Sequence, residues 1–95
     1  MLITVSPGLR THVEERGGSV YVRHRYPRGC RGVPFLEATT RPPARLGTYQ
    51  LFVVDGIFVH TRLPRARRPH ELTLTLAGRR RGRPVAAWDG CAFVV

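Results

Sequence analysis

Hydrophobic and polar residues alternate with a period of two along much of this chain, and that period predicts strands. In HELTLTLA, residues 70–77, Leu72, Leu74 and Leu76 fall on one side and Glu71, Thr73 and Thr75 on the other. This is the pattern of a strand with one face on a core and one in water. In SVYVRHRY, residues 19–26, Val20, Val22 and His24 share one face and Tyr21, Arg23 and Arg25 the other; β-branched and aromatic content reinforces the strand, with the second face wet. TYQLFVV and IFVHT flank Asp55-Gly56, a strong hairpin signal because a type I′ turn needs positive φ at both central residues. That turn sets Val54 opposite Ile57, Val53 opposite Phe58 and Phe52 opposite Val59, and places this hairpin at the centre of the core. LITV, residues 2–5, reads as a short leading strand, VPFLEATT as another, and VAAW with CAFVV around Asp89-Gly90 as a closing hairpin.

One segment follows a different rule. Ser6 is an N-cap residue and Pro7 suits the first helical position, so a helix is predicted from about Pro7 to Arg16. Its apolar stripe is thin, Leu9 and Val13, and Gly17-Gly18 ends it because glycine accepts the left-handed cap. The loops PRGCRG, RPPARLG, RLPRARRP and GRRRGRP separate the strands. No repeat or second unit interrupts the pattern, which gives a single domain over residues 1–95: an α+β, β-rich fold with one N-terminal helix.

Charge changes the picture more than length does. The chain has a formal net charge of +10 at pH 7, its sixteen basic residues all arginine. Arginine in place of lysine follows GC-rich codon usage; the excess of base over acid does not. Such a field attracts nucleic acid, acidic proteins and phosphate-bearing ligands. Arg65, Arg67 and Arg68 lie in one loop and Arg79, Arg80, Arg81 and Arg83 in another, at opposite ends of HELTLTLA, as two patches or one rim. Aromatics are not interleaved with them and no nucleic-acid module signature is present, so solvated arginines are favoured over a dedicated nucleic-acid surface. No charged-then-apolar leader and no apolar run near the ~18–20 residues of a membrane span occurs, and the expectation is a cytoplasmic protein with no membrane partner.

The chemistry-bearing candidates are few. Cys30 sits in YPRGCRGVPF between two glycines and two arginines. The glycines permit a tight turn that exposes the sulfur, and Arg28 and Arg31 favour its thiolate, the form that binds metal or reacts. A small residue filling a surface turn is the competing reading. Cys91 follows Asp89-Gly90, where a free cysteine is also an ordinary small core residue. His24 leads into the cysteine loop and His60 lies in the Asp55-Gly56 hairpin; each is an auxiliary ligand or proton acceptor, or a packed strand histidine. No metalloprotease, nucleophile-elbow, P-loop or dinucleotide pattern occurs, and no paired carboxylates suggest acid-base work, so the chain is read as a non-enzyme with no catalytic residues.

The order of elements carries a resemblance. The LITV lead, a helix opening at Ser6, the GGSVYVR strand, a Gly-Cys-x-Gly loop and VVDGIFVHTRLPRA together resemble the HesB-like or IscA-like A-type iron-sulfur carriers over nearly the whole chain. That resemblance implies a compact HesB-like β-sandwich, homodimeric association and an iron-sulfur cluster exchanged with a donor or acceptor protein. It also implies Cys30 as first metal ligand and Cys91 as one of the last. Four thiolates are the usual cluster set, so two cysteines per chain imply a dimer supplying both pairs. Arg31 stands where the family usually has serine, and Cys91 alone replaces a Cys-x-Cys tail. The chain is similar in addition to HesB-like actinobacterial proteins with Cys-Cys or selenocysteine-Cys at this loop, with one position replaced by Arg31, which shifts emphasis toward thiol redox chemistry.

Overall fold

The computed structural model describes residues 1–26, 34–64, 66–78 and 80–91. Seven strands and one helix follow in the order β1 (Leu2–Val5), α1 (Pro7–Glu14), β2 (Ser19–Arg25), β3 (Phe35–Thr39), β4 (Gln50–Val54), β5 (Ile57–Arg62), β6 (Glu71–Ala77) and β7 (Arg83–Trp88). The α+β, β-rich reading is what the structure shows. A three-stranded sheet has the order β1-β6-β7 and a four-stranded sheet the order β3-β2-β5-β4.

Local chemistry accounts for the elements. Ser6 Oγ accepts from the Leu9 N–H at 3.2 Å and Pro7 opens α1, while Gly17 and Gly18, at φ 103° and 86°, turn the chain out of it. The helix ends at Glu14, two residues short of Arg16. Asp55 and Gly56 both have positive φ, and the β4–β5 register pairs Val54 with Ile57, Val53 with Phe58 and Phe52 with Val59 as the turn requires. Pro84 sits in β7, an edge strand of its sheet, where a residue without an N–H is tolerated.

Apolar residues of both sheets meet in one core. Leu72, Leu74, Ala86 and Trp88 come from the smaller sheet, Val20, Val22, Leu36, Ile57 and Val59 from the larger, and Leu9 and Val13 of α1 close it. The alternation in β6 is as the pattern implied: Leu72 and Leu74 are fully buried.

Two expectations are corrected. The Asp55-Gly56 hairpin is only half core: β5 lies inside its sheet through parallel pairing with β2, but β4 is an edge, and Leu51, Val53 and Phe58 face outward and exposed. The outer face of β2 is not wholly wet, because Tyr21 is buried there between His60, stacked at 4.6 Å, and Tyr49, edge-on at 6.3 Å. Among the described residues no helix is long and apolar enough to cross a membrane.

Candidate functional site

One end of the sandwich collects most of the candidates. The C-terminal ends of β2 and β5 lie with the starts of β3 and β4, and the C-terminal end of β7 with the start of β6, as the pairings within each sheet require, and Arg68 in the connection from β5 to β6 borders depressions at both. Cys30 lies outside the described residues; Tyr26 and Pro34, four residues to either side of it, are at this end.

His24 is on the inner face of β2, half-buried, with Leu36 as its neighbour in register. Its Nδ1 is 3.2 Å from the Arg62 carbonyl oxygen. A carbonyl only accepts, so Nδ1 is the donor, and the tautomer that fits this contact leaves the lone pair on Nε2. Tyr26 packs edge-on to the ring at 5.6 Å.

Cys91 is a free, exposed thiol. Trp88 and Cys91 exchange backbone hydrogen bonds of 2.7 and 2.8 Å around Asp89-Gly90, a turn with positive φ at both residues. Asp89 fixes that turn to the start of β6, its Oδ1 accepting from the Glu71 N–H at 2.8 Å. The hairpin beyond Cys91 lies outside the described residues. Cys91 opens onto a depression bordered by Arg67, Arg68 and His70. Arg68 and Ala66 also border the cleft beside His24 and Tyr26, so the connection from β5 to β6 separates the two.

His60 is placed elsewhere. It lies on the outer face of β5, and burial against Tyr21 pushes its pKa below the usual imidazole value. The arginine loops do not merge: Arg67 and Arg68 precede β6, whereas Arg80 and Arg81 follow its far end and Arg83 is the first residue of β7. They form two patches rather than one rim. Arg65 and Arg79 lie outside the described residues. Tyr26, Thr61 and the Arg62 carbonyl join this end of the molecule without having been singled out by sequence pattern, since nothing local marks a strand terminus as the wall of a cleft. Among the described residues no three of His, Cys, Asp and Glu gather to hold a metal ion.

A family model, that of the CC/Se motif containing family, matches residues 1–85. The chain belongs to that family. Within the span that matches the CC/Se motif containing family, Cys30 is the only cysteine; Cys91 lies beyond it. No curated protein and no solved structure matches the chain.

Proposed function

We propose that this member of the CC/Se motif containing family is a divergent iron-sulfur or metal carrier, or an accessory to such assembly, that works through the thiolate of Cys30. The observation that carries the reading is the family match itself: a family described by a cysteine or selenium motif covers residues 1–85, and Cys30 is the one cysteine there. The likeness of the loop and of the element order to HesB-like carriers supports the same reading, with the cluster or metal as cargo rather than resident cofactor.

The end of the molecule that holds the loop suits a carrier. Histidines that ligate metals usually donate their other ring N–H to a carbonyl or carboxylate, which orients the ring and raises its basicity. His24 has that arrangement through Arg62, with Nε2 left to serve as an auxiliary ligand. Cys91 is exposed at the same end and reached by solvent. Arg67 and Arg68 border it and bring positive charge to this end. Four thiolates are the usual cluster set and the chain has two cysteines, so cargo is held between two chains or between the carrier and a donor or acceptor protein. Release then proceeds by ligand exchange, an incoming thiolate replacing Cys30 without net redox change.

Anaerobic incubation of the full chain with ferrous iron and sulfide tests this. The expected result is a thiolate-to-iron absorption band in the visible with iron and sulfide retained through gel filtration. A colourless protein that retains neither contradicts the proposal.

A further inference from the structure

A cleft of about 750 Å³ lies where the ends of β2 and β5 and the start of β4 meet the connection to β6. Small-molecule sites run from roughly 300 to 1,000 Å³, so it has the room of a ligand pocket. His24, Tyr26, Thr48, Gln50, Arg62 and Arg68 border it, and none of its described lining residues is acidic. Four of the described arginines are answered by acids and the other eight are not: Glu37 pairs with Arg23 at 3.2 Å and Arg25 at 2.7 Å, Glu14 with Arg10 at 3.6 Å and Glu15 with Arg16 at 3.8 Å. Arg62 and Arg68 have no ion pair among the described residues.

The wall of the cleft holds a second feature. Thr61, 2% exposed, lines it from the core side of β5, and among the described residues its hydroxyl is the one buried side-chain oxygen with no hydrogen-bond partner. Valine would fill the same shape without that penalty, so a hydroxyl here is accounted for by a polar partner brought to the cleft.

We propose that this cleft binds a small phosphorylated molecule. A carboxylate has two oxygens and one charge; a terminal phosphate has three strong acceptor oxygens and close to two charges at neutral pH. The Arg68 guanidinium, the hydroxyls of Tyr26, Thr48 and Thr61 and the Gln50 amide are donors in the number a phosphate accepts. Leu63, Pro64 and Ala66 line the remaining wall, where the rest of the molecule packs. Neither cysteine takes part; His24 borders the cleft and is shared with the carrier reading, but none of the donors named here is a metal ligand in it, so the proposal survives that reading's failure.

Calorimetric titration of the full chain at fixed ionic strength, with inorganic phosphate and with ribose 5-phosphate as probes, tests it. Saturable binding is expected for both, tighter for ribose 5-phosphate. Arg68→Gln should weaken it by about tenfold or more, as the loss of one charge-assisted hydrogen bond does, and Thr61→Val should weaken it as well. Arg81→Gln, at the far end of β6, should leave affinity within about twofold. Equal weakening by Arg68→Gln and Arg81→Gln would make the effect one of overall charge and overturn the site, as would the absence of saturable binding of either probe. Thermal melting of each variant separates lost binding from lost fold.

Discussion

Thr61 shows how much one atom can decide. The residue is buried while its hydroxyl lacks a partner among the described residues, so Thr61→Val should raise the stability of the ligand-free protein by about 1 kcal/mol, the lower end of what an unsatisfied buried hydroxyl costs. Urea unfolding measures it; a lower midpoint in the variant means that the hydroxyl is satisfied in solution. Two histidines and one glutamate set the response to acid. His12, 8% exposed on α1, has its pKa lowered by burial first and by the Arg16 charge second, against a raising effect of Glu15. His60 is lowered by burial. For both, the folded value lies below the unfolded 6.5, so their contribution is intact above pH 6.5 and is lost as pH falls through the folded value. Glu37 is held below 4.5 chiefly by its hydrogen bond from Arg25, against the raising effect of burial and with help from Arg23; its contribution is present above pH 4.5 and lost below. Stability should therefore fall in two stages on acidification, and His12→Gln should flatten the first. Unchanged denaturation midpoints between pH 7 and pH 5 would contradict this.

At the scale of elements, α1 tests the local reading of the chain. Removing the Ser6 cap that holds the Leu9 N–H should cost about 1 kcal/mol in Ser6→Ala, read as a lower melting temperature with an unchanged fold. The cap, the paired glycines after the helix, the Asp55-Gly56 turn and the alternation in β6 were all legible because each is written in neighbouring residues. What could not be read locally is which strand becomes an edge. The parallel pairing of Val20 with Val59 brings β5 inside the sheet and leaves β4 outside, turning Leu51 and Val53 to solvent although their composition is that of a core. The burial of Tyr21 is likewise set by Tyr49, from the far side of the connection between β3 and β4. Of the candidate site, the sequence marks Cys30, His24 and the arginines by type and spacing. It does not show that Cys91, Arg68 and the strand ends around His24 share one end of the sandwich, because that follows from how the two sheets pack.

Across the whole molecule, charge and chemistry are divided unevenly. Both ends of β6 carry arginines, but only one end combines them with His24, Cys91 and the strand termini that flank the Cys30 loop. A uniform field of +10 would make the two ends equivalent toward any anion; the cleft makes them differ. The same asymmetry frames the carrier proposal, which places all metal traffic at the end that the strands flanking Cys30 reach and leaves the far arginines out of it. The most direct test compares Cys30→Ser with Cys91→Ser after anaerobic loading with iron and sulfide. The account predicts that Cys30→Ser abolishes the thiolate-to-iron band while its melting temperature stays near that of the wild type, and that Cys91→Ser retains at least part of the band. A Cys30→Ser protein that loads iron and sulfide as the wild type does would contradict it.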